Sequence, residues 1–455
     1  MQAYNFIAPK YKRRISLTET FDFNNLVFLR KGSKGICLNP DNGSWMIMSE
    51  KVYDFLKSVR GKEVEQVLSC KSFSRNEVKR IMLTAYNFGL CSLNGKWVVE
   101  PEYWKQYCGL LPRLLILKTT NACNLACKYC YAKTAAHTPA FSVDVKLAEN
   151  VVSQMITMNK GSKSLPIHVN FHGGEPLLFK NKIIEIVERI RSHGLSKKEV
   201  EFSIQTNGVL LDEEIIEFCK KNDISISISL DGGKNENDAL RVFPNGKGTF
   251  ESVYNAINLC RRLDFNKISV LTTVTKINVL RLPYIVKKFE KIGVPLVKFS
   301  LFSAWGIGRF QRQLTPQPDQ VVFAYTKILQ LIEKESLKNI FVETIAHYVY
   351  NLVYFDRLYM CMRSPCGAGC SVITLDVNGD VYSCDCGIGD EEFLLGNVKT
   401  SALIDIITNK KNAKFRSRLV QKLVPCSRCI WRAFCMGTCT HRAYIANGTI
   451  FSVDP

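Results

Sequence analysis

Three closely spaced cysteines constrain this 455-residue chain more than any other feature. Cys123, Cys127 and Cys130 follow CxxxCxxC spacing, which keeps three thiols within about two turns of backbone. Such a set can bind three irons of a cubane and leave the fourth iron without a protein ligand. A closed zinc site would take a fourth ligand, which this stretch does not supply. The spacing therefore indicates an iron-sulfur site with one iron open to chemistry.

The apolar run at 114–117 predicts a buried strand just before these thiols, which places them on the loop at its carboxyl end. Barrel enzymes carry their chemistry on such loops. Nothing resembling a secretory signal precedes the motif, so a disulfide framework is not expected. No apolar run approaches the length of a membrane span. The sequence therefore predicts a cytoplasmic protein with no membrane partner.

The segment from Leu117 to Tyr131 resembles the cluster loop of radical S-adenosylmethionine (SAM) enzymes, including an aromatic residue, Tyr129, just before the last cysteine. The resemblance implies a [4Fe-4S] cluster held by the three thiols, with its open iron chelated by SAM. In that family one electron from the cluster cleaves SAM to methionine and a 5'-deoxyadenosyl radical. This radical removes a hydrogen atom from an unactivated position of the substrate.

Strand and helix patterns alternate after this loop. Helical stretches separate six apolar or alternating runs, which predict strands at 114–117, 166–171, 200–205, 224–230, 268–274 and 297–302. Such alternation indicates parallel pairing, so we expect an α/β chain in which residues 106–310 form a partial (β/α)6 barrel. A connecting helical segment is expected over 311–355.

Short motifs at the ends of the predicted strands resemble the SAM-binding motifs of the same family. The GGEP motif follows the second strand, and in the family its backbone and carboxylate receive the amino group of SAM. An arginine suits the SAM carboxylate because its guanidinium donates in a fork. A Gly-Arg loop at 305–309 resembles one in peptide-modifying relatives. The resemblance implies that SAM is bound by Tyr129, Gly173, Gly174, Glu175, Pro176, Gln205, Asn207, Ser229 and Arg241.

Residues 1–105 predict a winged-helix-like domain. Apolar stretches at 26–29 and 45–48 flank a turn signal and predict paired strands. Two helices and a terminal hairpin follow, and Ser74 and Glu77 form a capping box at the start of the second helix.

In this position the domain resembles the recognition element of enzymes that modify RiPPs, which are ribosomally synthesised and post-translationally modified peptides. That resemblance implies a precursor peptide whose leader is bound by strand addition to a sheet edge. DNA binding is the alternative for such a domain. The formal charge of +20 is spread along the chain, so it suits acidic peptides or an acidic electron donor at least as well as nucleic acid, and it does not by itself choose a partner. Because of the SAM-binding motifs, we expect a flavodoxin- or ferredoxin-like electron donor and no nucleic-acid partner.

Residues 356–455 are rich in cysteine, and their spacing resembles the SPASM domain, an auxiliary-cluster extension of many radical SAM enzymes. The family usually has one more cysteine, and none follows Cys439 here, so the second site is expected to be open, incomplete or completed by Cys370 or Cys386. We therefore expect one or two auxiliary [4Fe-4S] clusters, with zinc as the alternative for the CX2C pair. The resemblance implies a first cluster on Cys366, Cys384 and Cys439 with Cys361 or Cys370, and a second on Cys426, Cys429 and Cys435.

These features predict a radical SAM/SPASM maturase that modifies a ribosomally made peptide by hydrogen abstraction. A thioether from cysteine sulfur to carbon is the first expectation for the bond, followed by a carbon-carbon crosslink. Asp385 occupies the position where sulfatase-maturating relatives keep an acid proposed as a base, which favours an alternative, formylglycine formation from Cys or Ser. A DNA-binding regulator with clusters as redox sensors is a third hypothesis.

Overall fold

The computed structural model describes residues 15–102, 105, 107, 109–132, 140–160, 165–354, 357 and 359–454. Its amino-terminal part contains short strands and three helices. These are β1 (Thr20–Asp22), β2 (Val27–Lys31), β3 (Lys34–Asn39), β4 (Ser44–Ser49), α1 (Glu50–Ser58), β5 (Lys62–Glu63), α2 (Val64–Leu68), α3 (Arg75–Asn87), β6 (Ser92–Leu93) and β7 (Lys96–Trp97).

Strand pairing in this part differs from the prediction in one respect. β3 lies between β2 and β4 and pairs antiparallel with both, so the predicted strands at 26–29 and 45–48 are not neighbours. That prediction was wrong because Lys34 and Gly35 weaken the strand pattern of β3, and Gly32 forms the tight β2–β3 turn at φ +65°. The turn signal at 39–43 joins β3 to β4.

The helices of this part follow their capping signals. The Ser49 side chain accepts a hydrogen bond from the Val52 amide at the start of α1. At the start of α3, the predicted capping box of Ser74 and Glu77 is formed. The buried face of α3 and the apolar faces of β1 and α1 then share one core.

Six parallel strands in sequence order form the centre of the molecule, as predicted. Burial alternates along β9 and β12, so one face packs on helices and the other faces the interior. The elements are β8 (Leu114–Thr120), α4 (Val145–Met158), β9 (Ile167–Gly173), α5 (Lys180–Ser192), β10 (Val200–Thr206), α6 (Glu213–Asn222), β11 (Ser225–Ser229), α7 (Lys234–Asp238), α8 (Phe250–Arg262), β12 (Ile268–Val274), α9 (Leu282–Lys291) and β13 (Leu296–Leu301).

The carboxyl-terminal part extends this sheet at both edges. The first extension, β14, pairs parallel with β13; on the other side β15 pairs parallel with β8, and β16 and β17 follow antiparallel. The elements are α10 (Pro318–Glu333), β14 (Phe341–Val342), α11 (Glu343–Val353), β15 (Val372–Leu375), β16 (Asp380–Tyr382), β17 (Leu394–Asn397), α12 (Leu403–Thr408), α13 (Lys410–Arg416), α14 (Arg432–Cys435) and α15 (Thr440–Asn447).

Contacts join the amino-terminal domain to the carboxyl-terminal part. The Trp45 indole donates to the Leu352 carbonyl at the end of α11 over 2.6 Å, and Asp41 forms an ion pair with Arg432 of α14. The amino-terminal domain therefore packs directly against the carboxyl-terminal part. Among the described helices, none combines the length and apolar character that crossing a bilayer requires.

Asn42 provides a test of how the β3–β4 turn is held. Its buried amide nitrogen donates to the carbonyls of Gly89 and Val99, and its oxygen accepts from the Ser44 amide. Asn42→Ala leaves these backbone groups unpaired, so we expect the free energy of unfolding to fall by about 2–4 kcal/mol. Urea unfolding measures the change, with exposed Asn235→Ala as the control. A loss below about 0.5 kcal/mol would contradict this account.

Candidate functional site

The loop that carries the three thiols is bound on two sides by backbone hydrogen bonds. On one side, the Ala126 amide donates to the Val242 carbonyl over 2.8 Å and the Lys128 amide to Leu240 over 2.9 Å. On the other side, the Cys130 carbonyl accepts from Ile307 at 2.8 Å and from Gly308 at 3.2 Å. The loop is thus held between the segment that contains Arg241 and the predicted Gly-Arg loop.

The GGEP motif forms a third support of the cluster loop. A Cβ on Gly174 would lie 2.0 Å from the Ala122 carbonyl oxygen, and one on Gly173 would lie 2.3 Å from that of Thr120. Gly173 also adopts φ +139°, which favours glycine. Both glycines are therefore required for the end of β9 to approach the backbone that leads into Cys123.

Glu175 joins two strand ends with a fully buried carboxylate. One oxygen accepts from the Leu177 amide and the Thr206 hydroxyl, and the other accepts from the Asn207 amide at 2.7 Å. Burial raises the pKa of Glu175 to about 7, although these three hydrogen bonds act in the opposite direction. The carboxylate thus fixes β9 relative to β10, in addition to the SAM contact that its motif predicts.

Arg241 and Tyr129 meet at a buried carboxylate that the sequence analysis did not single out. Asp231 accepts hydrogen bonds from the Tyr129 hydroxyl, from Arg241 Nε at 3.1 Å and from the Thr273 amide at 2.8 Å. Burial works to lower the pKa of Arg241, but the charges of Asp231, Tyr129 and Cys127 together raise it above its ordinary value. Arg241 is therefore a fixed cation beside the cluster loop.

The predicted SAM residues after β10 and β11 also lie together. The Gln205 side chain donates to the Ser229 hydroxyl over 3.1 Å, and Asn207 donates to the Asn124 side chain of the cluster loop over 2.7 Å. Asn124 follows Cys123 directly in the chain. The structure therefore brings the predicted residues of three strand ends to one edge of the sheet, as parallel strands require.

The residues of this loop fit a cluster better than a zinc ion. The three thiols are half-buried. Burial raises the pKa of the Cys123 thiol, and the charges of Cys127 and Cys130 act in the same direction, so the three thiols lie within electrostatic reach of one another. A closed zinc site would take a fourth ligand, whereas a cubane held by three thiolates leaves one iron open.

Thiols of the carboxyl-terminal part converge in two groups. Burial of its sulfur raises the pKa of the Cys361 thiol, although other atoms of the residue are exposed. The charges of Cys366, Cys384 and Cys439 act in the same direction. These four cysteines, the predicted first set with Cys361 as its fourth member, thus lie within electrostatic reach of one another. Cys386 lies with them: a hydrogen bond with the Cys384 side chain lowers the pKa of its thiol, but burial and the charges of Asp385 and Cys439 raise it to about 11.

The second group contains Cys426, Cys429 and Cys435. Burial and then the charges of Cys435 and Cys429 raise the pKa of Cys426. Cys370, the other predicted candidate, is buried near Arg363. A short turn connects the two groups. Its residues Met436, Gly437 and Thr438 adopt the left-handed backbone conformation, with φ of 58°, 81° and 60°.

A cavity of about 200 Å³ lies between the cluster loop and the first auxiliary group. The Tyr131 hydroxyl, one residue after Cys130, donates to Asp385 over 3.0 Å, and Asp385 accepts from the Cys384 thiol over 3.1 Å. His172 lines the same cavity, and burial lowers the pKa of its imidazole. Lys118 and Asp376 form an ion pair at the wall over 3.2 Å.

Sequence reasoning missed Asp231, Tyr131 and His172. Asp231 comes two residues after the end of β11. His172 is the penultimate residue of β9, directly before the pair Gly173 and Gly174. A polar residue at the carboxyl end of a barrel strand is a usable signal. It was not sufficient here because the partners of these side chains come from distant segments, and the long-range pairing becomes visible only in the fold.

Gly174→Ala tests the close approach to the cluster loop. The added Cβ would collide with backbone that cannot move freely, so we expect the three-thiol site to lose its cluster, a decrease of about four irons per chain. Anaerobic iron and sulfide quantitation after reconstitution measures this. Gly109→Ala is the control, since a Cβ there meets nothing within 4 Å. Equal iron in both variants would contradict the expectation.

Comparisons with known proteins agree with this geometry. The model of the radical SAM superfamily matches residues 117–282, and the iron-sulfur cluster-binding domain model SPASM matches residues 366–430. The chain is 26% identical to a cysteine-type anaerobic sulfatase-maturating enzyme of Clostridium perfringens (strain 13 / Type A) over 72% of this chain and 88% of that protein.

Two solved structures share the fold. The structure "Native anSMEcpe with bound AdoMet" has a TM-score of 0.66 at 20% identity and covers 75% of this chain and 94% of that chain. Streptococcus suis SuiB bound to precursor peptide SuiA has a TM-score of 0.56 at 15% identity and covers 96% of this chain and 99% of that chain. The radical SAM model matches the segment that carries Cys123, Cys127 and Cys130, and the SPASM model matches the segment that carries most of the carboxyl-terminal cysteines, so the chain contains a radical SAM domain followed by a SPASM domain.

Proposed function

We propose that this enzyme modifies a ribosomally made peptide at the cavity between its cluster loop and its SPASM domain, by forming a thioether or a carbon-carbon crosslink. The observation that carries this proposal is the hydrogen bond from Tyr131 to Asp385 across the cavity. It puts residues adjacent to Cys130 and to Cys384 around one space of about 200 Å³. A side chain bound there would be close to both iron-sulfur sites.

The residues present fit the cofactors of the superfamily. Cys123, Cys127 and Cys130 would hold the [4Fe-4S] cluster, and the cluster with SAM supplies a 5'-deoxyadenosyl radical when both are bound. Arg241 binds Asp231 through Nε, and within the described chain its Nη nitrogens have no assigned hydrogen-bond acceptor. This fork is thus available to a carboxylate such as that of SAM.

The SPASM thiols supply the second part of the site. Cys361, Cys366, Cys384 and Cys439 form a complete thiolate set for a first auxiliary [4Fe-4S] cluster, and Cys426, Cys429 and Cys435 provide three ligands for a second one. An auxiliary site beside the cavity suits net oxidation of the substrate, because closing a crosslink after hydrogen abstraction releases a further electron. Asp385 is placed to accept the accompanying proton, since it lies between Cys384 and the cavity.

Several features support a leader-bearing peptide as the substrate. The amino-terminal domain contains three helices and a hairpin after a three-stranded sheet, and the outer strands of this sheet pair with no further strand among the described residues, which suits strand addition. SuiB, which shares the fold over nearly the whole chain, is described as bound to its precursor peptide. A flavodoxin- or ferredoxin-like protein would supply the electron, in keeping with the net charge of +20.

A second candidate function is formylglycine formation. It is favoured by Asp385 and by the likeness to an enzyme named as a cysteine-type sulfatase-maturating enzyme. Both reactions begin with hydrogen abstraction and both are two-electron oxidations of the peptide. A crosslink removes two hydrogens and joins two positions. Formylglycine formation removes two hydrogens from one serine, whereas at a cysteine water also supplies the aldehyde oxygen and the sulfur leaves as hydrogen sulfide.

Intact mass analysis of the small peptide encoded beside the gene, co-expressed with this enzyme, tests the main proposal. We expect a loss of about 2 Da per crosslink, one pair of hydrogens, with both positions identified by fragmentation. The Cys127→Ala variant should leave the peptide unchanged. A reconstituted enzyme that cleaves SAM but never alters this peptide would refute the proposal, and an aldehyde that reacts with a hydrazide would support the second candidate.

Asp385→Asn separates proton transfer from radical formation. The amide keeps the shape of the side chain but cannot take up a proton, so we expect the yield of modified peptide to fall about 10²-fold. Cleavage of SAM to 5'-deoxyadenosine should continue. Asp405→Asn, on the exposed face of α12, is the matched control. Unchanged product formation in Asp385→Asn would eliminate this residue as the base.

A further inference from the structure

A second cavity, here called the interdomain groove, lies between the amino-terminal domain and the segment that carries Cys426 and Cys429. Its volume is about 490 Å³. One wall consists of residues 23–27 with Lys57 and Arg60, and the other contains Ser427, Arg428 and Arg432. The groove therefore borders on two modules that are far apart in sequence.

The charge of this groove is positive. Its lining includes four cations and no carboxylate. Arg60 is paired with Asp22 over 3.2 Å and Arg432 with Asp41. Lys57 and Arg428 are exposed, and among the described residues no carboxylate lies within ion-pair distance of either side chain. The Lys57 ammonium lies 5.5 Å from the centre of the Tyr53 ring. Each module thus brings to this space one positive charge that has no ion-pair partner among the described residues.

The groove also leads to an unpaired strand edge. Residues 23–27 enter β2, and within the described sheet β2 pairs with β3 alone. Its outer edge can accept the main chain of an extended peptide, as edge strands do. A peptide added to this edge would continue past Val27 into the space between Lys57 and Arg428. Anionic side chains of the peptide would neutralise these two positive charges.

We propose that the interdomain groove binds acidic residues of an extended peptide, the leader of the precursor, so that two modules recognise it together. This inference rests on the proposed function and specifies the chemistry of its leader. A groove of about 490 Å³ beside a strand edge suits a single extended chain better than the convex surface of a folded electron donor. Nucleic acid would require a longer run of cations to follow its phosphates.

The test measures fluorescence anisotropy of a labelled synthetic copy of the small peptide encoded beside the gene. The full-length enzyme is compared with the double charge reversal Lys57→Glu/Arg428→Glu. The control, Lys221→Glu/Lys287→Glu, makes the same charge change on exposed lysines of α6 and α9. A second probe carries Asn and Gln in place of every Asp and Glu of that peptide.

We expect the groove variant to raise the Kd at least about tenfold, while the control stays within about twofold of the unaltered enzyme. For the unaltered enzyme, the Kd of the neutral probe should be higher than that of the acidic peptide by a similar factor. For the groove variant, the Kd values of the two probes should be nearly equal. Raising the salt from about 50 to about 300 mM should weaken binding more for the unaltered enzyme than for the groove variant.

The outcomes separate this inference from the function on which it rests. If the peptide binds and is modified but the groove variant binds it as tightly as the control, the groove is not the binding site and the proposed function stands. If the unaltered enzyme neither binds nor modifies the peptide, both are overturned. If a DNA duplex displaces the peptide and its own binding is lost in the groove variant, the groove is a nucleic-acid site and the inference is wrong.

Discussion

The buried carboxylate of Asp231 is the interaction on which the arrangement of this site depends. A charge without solvent must be paired and hydrogen-bonded to be tolerated, and here three different segments supply the donors. They are the cluster loop through Tyr129, the segment after α7 through Arg241 and the strand β12 through Thr273. Because one carboxylate satisfies all three, the loop, the guanidinium fork and the barrel are fixed relative to one another.

A second line of contacts leads from the same loop to the SPASM domain. The Cys130 carbonyl is held by the amides of Ile307 and Gly308, and the next residue, Tyr131, reaches Asp385 beside Cys384. The cavity wall is therefore made by residues that adjoin thiols of both iron-sulfur sites. Burial raises the pKa of Tyr131 well above its ordinary value, and the Asp385 charge acts in the same direction, so its hydroxyl remains a donor.

Local patterns were sufficient to predict much of this structure. The six barrel strands follow from apolar runs, and the start of α3 follows from the Ser74–Glu77 capping box. The location of the three thiols on the loop after β8 follows from the apolar run that precedes them. What failed was information that depends on distant partners. β3 has a weak local pattern and is stabilised by neighbours on both sides. β15 is a buried strand of only four residues, and its partner β8 lies more than 200 residues earlier in the chain. The carboxylate of Asp231 has donors that only the fold brings together.

The pairing of β15 with β8 has a consequence for how such an enzyme can change over evolutionary time. Leu375 is in register with Leu117, so the SPASM domain continues the sheet that ends at the cluster loop. A domain attached in this way is part of the same sheet as the barrel and is not an independent unit on a flexible linker. Recombination that replaced it would have to supply a strand of matching length and alternation, or the first barrel strand would be left with an open edge. New substrates are therefore reached more readily through residues that line the cavity than through exchange of the whole domain.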